Sequence, residues 1–328
     1  MSWLIDPNVD PYGYIGMARN PDGSITRIPE FFPTAPPSYK SADPNHFPVL
    51  TKDIPINMEK KTWARLYIPE TEFNSVPAKK LPLIIYYHAG GFVQGSAATL
   101  LFQNFCFWMA NQISAIIVSV EYRLAPEHRL PAAYDDGMEA LHSIKITKDE
   151  WLTNYADLSK CFLMGTSSGG NLVYQLGLRA AACVDDLAPL KIQGLIFHHP
   201  FFGGTQRTLS EVRLNNDKIL PPLLTDVMWD MCLPIGVDRD HEYCNPMVEI
   251  KSKILMKVKD QGWKLLVIGC NGDPLVDRQI EFMKMLKDKR LDVIGEFSDG
   301  GCHSYEFMDE SKAKTLFGTV KNFVLSIM

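Results

Sequence analysis

The stretch MGTSSGGN, residues 164–171, sets two serines among three glycines, between an apolar run and a helix-like run. Residues 165–169 match G-x-S-x-G with Ser167 at the centre. A serine where a strand turns sharply into a helix is held in a strained conformation with its hydroxyl above the sheet. The helix N-terminus beneath it favours negative charge. Glycines must flank it, because side chains there would clash with neighbouring backbone. The competing reading is a plain surface turn, since short Gly/Ser strings arise by chance.

A serine hydroxyl is a poor nucleophile without a base. In this strand–turn–helix setting the partners follow in the order serine, acid, histidine. Of eight histidines, His303 in SDGGCHSYEF is the one beyond residue 241. It falls in a Gly-rich loop after the last predicted strand, and is expected to be the base. For the acid, GCNGDPLVDR offers Asp273 and Asp277. Asp273 is nearer the strand end and is the expected partner of the histidine, holding its tautomer and stabilising the imidazolium. Asp277 is the alternative and reads equally as a first-turn acid of the next helix.

A tetrahedral intermediate needs preorganised N–H donors. YYHAGGF, 86–92, follows a predicted strand, where Gly90 and Gly91 bring backbone close to a ligand; the N–H of Ser168 is the third donor expected. His88 is read as structural, bonding the loop. His198 and His199 end another strand; they either face the site or are satisfied structural histidines, and the second reading is preferred.

These residues need a scaffold that brings strand ends together. Beta-branched and aromatic runs predict strands at 63–69, 81–88, 115–122, 161–165, 192–200, 264–269 and 292–298. Helical spacing predicts helices at 101–113, 132–145, 169–182, 277–289 and 312–328. Strand–helix alternation implies a mostly parallel sheet with helices on both faces. Residues 1–50 read as an irregular arm, with one short helix, whose Tyr12, Tyr14, Ile15, Phe31 and Phe32 pack it on the body. The interval 201–250 breaks the rhythm with a helix carrying Leu223, Leu224, Val227, Met228 and Trp229, well placed to roof a crevice at the strand ends. The whole chain, 1–328, is expected to be one domain.

The formal net charge of −5 has no basic block behind it, which argues against nucleic acid or an anionic membrane as partner. No apolar run is long enough to span a bilayer. Seven scattered cysteines, an odd number with no C-x-x-C pair, argue against zinc. With no apolar leader at the start of the sequence, they point to a reducing, cytoplasmic setting. No cofactor or metal is expected, and nothing indicates an oligomeric state.

Taken together, HAGGF (88–92), VEYRLAPEHRLPAAYDD (120–136), GTSSGGN (165–171), GDPLVDRQ (272–279) and GGCH (300–303) resemble the hormone-sensitive-lipase branch of the α/β-hydrolases, and within it the plant carboxylesterase group. The resemblance covers nearly the whole chain. It implies an α/β-hydrolase fold capped by the N-terminal arm and the 201–250 insertion. It further implies Ser167 as nucleophile, Asp273 as acid, His303 as base, and Gly90, Gly91 and Ser168 as the oxyanion hole. The PEHR segment is a structural brace. Three positions depart from the family pattern: Ala89 replaces a glycine of HGGG, Thr166 stands where an acidic residue is common, and Cys302 precedes the base. Phe92, Thr166, Trp229 and Cys302 are the expected pocket residues, with Phe31 and Phe32 as further lid candidates.

The expected activity is hydrolysis of a small or medium apolar carboxylic ester through an acyl-enzyme. The alternative is a specialised enzyme on the same scaffold: a methyl-ester hydrolase whose product decarboxylates, or a dehydratase or cyclase, for instance on an alkaloid. A non-catalytic receptor, like the family's gibberellin-binding members, is disfavoured by the presence of His303.

Overall fold

Burial on both faces is built into the central strands by their alternation. In LPLIIYY, Leu83, Ile85 and Tyr87 enter one apolar cluster, while Ile84 and Tyr86 enter the other. A strand buried on both sides needs helices on both sides. The computed structural model, which describes residues 10–38, 49–73, 75, 80–248 and 252–327, has that arrangement.

The chain opens with α1 (Pro11–Tyr14), β1 (Met17–Arg19) and β2 (Ile25–Arg27). It then runs through β3 (Val49–Asn57), β4 (Thr62–Pro69), α2 (Glu70–Phe73), β5 (Leu81–Tyr87), α3 (Leu100–Ile113), β6 (Ile116–Val120), α4 (Ala132–Lys145), α5 (Glu150–Tyr155), β7 (Ala156–Thr166), α6 (Ser168–Ala182) and β8 (Ile192–His198). Next come α7 (Leu209–Arg213), α8 (Pro222–Cys232), α9 (Ser252–Asp260), β9 (Lys264–Cys270), α10 (Val276–Asp288), β10 (Asp292–Ser298) and α11 (Glu310–Leu325). The eight-stranded sheet has the order β10-β9-β8-β7-β5-β6-β4-β3. It is parallel from β10 to β6, while β4 runs antiparallel to β6 and β3 antiparallel to β4. Helices α3 and α11 cover one face, and α4, α6, α9 and α10 the other.

After β5 the chain adds β6 on one side and then β7 on the other. Loops leaving β5 and β7 therefore diverge above adjacent strand ends, which opens a crevice there. The expected triad loops follow β7, β9 and β10, all at this carboxyl edge.

Besides the unexpected helices α2, α5 and α9, three local features differ from the sequence expectation. The arm is not irregular throughout: β1 and β2 form an antiparallel hairpin. Its turn is NPDGS, where Gly23 takes φ +84° and Asn20 N–H donates to Ser24 O at 2.8 Å. Pro, Asp and Gly in that order are a turn signal in their own right. The arm does pack on the body: Ile15 and Met17 are buried in the cluster that holds Trp229, and α1 contacts α8. Phe31 and Phe32 meet edge to face at 4.8 Å, with Phe31 exposed and stacked over Gly16. The second difference is β3, a strand that the expected arm boundary at 50 concealed. It is an edge strand, which is why it accommodates Pro55 and a bulge between Pro55 and Asn57. Third, the 201–250 interval contains two helices, α7 and α8; α7 is closed by a reciprocal cap between Thr208 and Glu211.

Candidate active site

Strand β7 ends at Thr166 and α6 begins at Ser168, so Ser167 is the hinge between them. Its backbone sits at φ 55°, ψ −117°, a conformation an L-residue occupies at a cost of about 1–3 kcal/mol. Close packing enforces the bend. A Cβ on Gly165 would lie 2.1 Å from Gly169 O, and one on Gly169 would lie 1.9 Å from Tyr87 O. Ser167 N–H donates to His198 O, and Phe201 N–H donates back to Ser167 O, each at 2.9 Å. The residue as a whole is 5% exposed.

The Ser167 hydroxyl lies 2.9 Å from His303 Nε2, and His303 Nδ1 lies 2.8 Å from Asp273 Oδ2. The histidine loop is shaped by Gly300, Gly301 and Ser304, all at positive φ, and is tied to the acid loop by Gly272 N–H donating to Gly300 O at 3.1 Å. Asp277 is not in this line: its Oδ2 accepts Ser210 N–H at 2.7 Å and anchors α7.

Asp273 is fully buried and fully bonded. Oδ2 accepts from His303, from His199 Nδ1 at 2.8 Å and from Gln279 Nε2 at 2.8 Å; Oδ1 accepts Leu275 N–H at 2.8 Å. Burial alone would raise the carboxyl, but the His303 charge and the donors on it hold it well below the usual carboxylate range.

Loop 88–95 lies against the start of α6: a Cβ on Gly169 would also come within 2.8 Å of His88 O. Gly90 (φ 129°) and Gly91 (φ 61°) take conformations that favour glycine, whereas Ala89 has no positive φ. The N–H groups of Gly90, Gly91 and Ser168 have no acceptor among the described residues. His88 is the loop's internal strut. Its Nδ1–H donates to Ala89 O at 2.7 Å, and its ring stacks on Tyr122 at 4.3 Å and Phe102 at 5.4 Å. Burial pushes His88 down to about 4, so it is neutral at ordinary pH. Tyr122 O–H donates to His88 O at 2.8 Å, and Arg27 of the hairpin donates to Val93 O at 2.5 Å and Ala125 O at 2.6 Å.

The expected pocket residues divide. Cys302, half-buried, lines a cavity of about 540 Å³ together with Val212, Leu214, Asp217 and Ile219, one residue from His303. Its thiol is pushed up to about 11, chiefly by burial, so it is protonated. The other three are buried against neighbouring side chains. Thr166 is fully buried, with its hydroxyl between Tyr86 O–H at 2.9 Å and His198 Nδ1 at 3.0 Å. Phe92 is wedged against Tyr122, Tyr134 and Trp229. Trp229 stacks on Phe201 at 4.6 Å, 4° from parallel. Both rings are buried in the apolar cluster that also holds Ile15 and Met17 of the arm.

Sequence reasoning assigned no role to Gln279 or Glu306, which the structure sets on Asp273 and beside His198 and His199 respectively. Glu306 follows His303 by three residues, a spacing that returns a carboxylate to the same side of a tight turn, and this was the available signal.

Residues 84–307 match the α/β-hydrolase fold family. Carboxylesterase 20 of Arabidopsis thaliana is 50% identical over 325 residues, 98% of each chain. A 3-O-acetylpapaveroxine carboxylesterase of Papaver somniferum is 42% identical over 323 residues, 96% of this chain and 99% of that one. An esterase of Pyrobaculum calidifontis superposes with a TM-score of 0.68 at 25% identity, covering 85% and 86% of the two chains. These similarities favour ester hydrolysis over the dehydratase, cyclase and receptor readings. The chain belongs to the α/β-hydrolase family, in its plant carboxylesterase group, and is an ester-hydrolysing enzyme.

Proposed function

We propose that the chain hydrolyses small or medium apolar carboxylic esters by a serine acyl-enzyme route. The observation that carries this is the unbroken line from Ser167 Oγ through His303 to Asp273, with separations of 2.9 and 2.8 Å. Ser167 Oγ attacks the ester carbonyl as His303 Nε2 takes its proton. The tetrahedral oxyanion is held by the free N–H groups of Gly90, Gly91 and Ser168. Collapse expels the alcohol, which receives the proton from His303. Water, deprotonated by the same imidazole, then attacks the acyl-enzyme and releases the acid and Ser167. Asp273 stays ionised throughout and keeps the Nδ1–H tautomer in place.

The cavity beside Cys302, with Val212, Leu214 and Ile219 on its walls, suits an apolar group of the substrate. Acetyl esters of bulky apolar alcohols are the first substrates to try, since the Papaver relative is named for one. That name also supports a place in plant secondary metabolism. All seven cysteines are free thiols, the state that a reducing cytoplasm maintains. No helix among the described residues is long and apolar enough to cross a membrane.

The test is a fluorophosphonate probe with p-nitrophenyl acetate. The expected result is stoichiometric labelling of Ser167, a nitrophenol burst, and loss of both in Ser167→Ala. Turnover persisting in Ser167→Ala with loss in His303→Ala would replace the acyl-enzyme by acid–base chemistry.

A further inference from the structure

Asp273 carries two imidazoles on one oxygen, and the reaction uses only one. The second, His199, is fully buried, and its neighbours suit a cation. Nδ1 lies 2.8 Å from Asp273 Oδ2, while Nε2 faces Glu306 Oε1 at 3.5 Å, long for a hydrogen bond but close for an ion pair. Each ring nitrogen thus points to a carboxylate oxygen, and neutral imidazole has only one N–H to offer. The backbone that aims the ring is strained: His199 sits at φ 45°, held by its N–H on Ile268 O at 2.8 Å. Strain at a non-glycine persists where the surroundings over-determine it, and such positions cluster at functional sites.

We propose that His199 is a positioning residue of the triad, an imidazolium that bridges Asp273 and Glu306 and fixes the carboxylate that orients His303. The proposal rests on the triad reading above. The groups facing His199 are Asp273 from the loop after β9, and His303, Tyr305 and Glu306 from the loop after β10. His198 from its own strand completes the set, its ring 4.7 Å away. Among these, Asp273 and Glu306 are anionic. Burial alone would raise Glu306, but the neighbouring imidazoles hold it well below its usual value. Burial lowers His198, whose Nδ1 accepts from Thr166 and whose Nε2 lies 3.2 Å from Glu306 Oε2. With His198 neutral and His199 charged, two carboxylates and one imidazolium leave a single negative charge. That charge is neutralised when His303 takes the serine proton. Tyr86 then donates to Thr166 and Thr166 to His198, and the Nε2–H groups of His198 and His199 both face the carboxylate of Glu306.

Burial opposes the charge on His199, but its hydrogen bond to Asp273 and its ion pair with Glu306 outweigh that and raise the group to about 9. A raised histidine holds its ion pairs at low pH and loses them as pH rises through that value. In wild type, kcat should therefore fall above about pH 9 with KM unchanged. His199→Gln keeps an N–H for Asp273 without the charge. It should lower kcat roughly 10²-fold, as expected for slight misplacement of a catalytic group, and abolish that alkaline limb. Glu306→Gln removes one carboxylate from His199 and should move the limb to lower pH. Both variants are read on protein that still takes the fluorophosphonate label, so failure of the triad reading shows separately, as absence of label on wild type. The ¹⁵N spectrum of histidine-labelled wild type should show His199 protonated on both nitrogens at pH 7. A neutral His199 in that spectrum, or an alkaline limb unmoved in both variants, overturns the proposal.

Discussion

The proposed acid side and the proposed oxyanion side of the site are held by different forces. Around Asp273 the structure relies on buried charge: two carboxylates and three imidazoles, at separations of 2.8 to 3.5 Å. Around Gly90 and Gly91 it relies on backbone shape and aromatic packing, with a neutral His88 stacked between Tyr122 and Phe102 and Phe92 locked at φ 64°. Charge fixes direction but answers to pH. Steric fit ignores pH but tolerates no added atom. An enzyme that needs an ionisable base and a fixed dipole pair gains from keeping the two devices apart.

Breaking the acid side should cost most. Asp273→Asn keeps the shape but offers His303 the wrong tautomer, and kcat should fall about 10⁴-fold with little change in KM. On the oxyanion side, Gly90→Ala drives a methyl to 2.0 Å from the backbone Gln94 O, which cannot step aside. The expected loss is roughly 10²–10³ in kcat, the worth of one donor. Gly91→Ala meets Met228 Sδ at 2.3 Å, a flexible tip, so a smaller loss is expected; steady-state kinetics on the pair ranks them. A reversed ranking would mean that side-chain packing governs this loop more than backbone does.

The two sides should also separate on a pH axis. His88 is kept neutral with its value lowered from 6.5 to about 4, so its burial favours the folded state above 6.5 and that contribution is lost as pH falls toward 4. Melting temperature followed over that range should drop less steeply in His88→Asn, whose amide can hold Ala89 O without titrating. The alkaline limb assigned to His199 should be unaffected by this change. The smallest effect is expected for Ala89→Gly, since Ala89 holds no strained backbone angle and faces the loop through its carbonyl. An assay change as large as that of Gly91→Ala would show that the methyl group itself shapes the hole.

The legible part of this molecule was that in which local pattern and global role coincide. Strands such as Ile192–His198 and Ile116–Val120 were readable because a strand buried on both faces must be apolar and β-favouring. The proposed triad of Ser167, Asp273 and His303 was suggested by sequence because each follows a strand and lies beside glycines. His199 and Glu306 were not, because a buried histidine pair looks the same in sequence whether it is satisfied by backbone or by a carboxylate from a distant loop. Phe92 and Trp229 are ambiguous in sequence for the converse reason: large aromatics beside a site either line a pocket or pack beneath it.

Sequence alone determined the alternation of elements and the glycine-dependent bends, since these follow from periodicity and from which residues can occupy a given backbone angle. Tertiary structure alone decided which histidine shares the acid, which carboxylate balances it, and which aromatics face inward. Those outcomes depend on distances between loops separated by up to 136 residues, from Ser167 to His303. No local propensity encodes a separation of that kind.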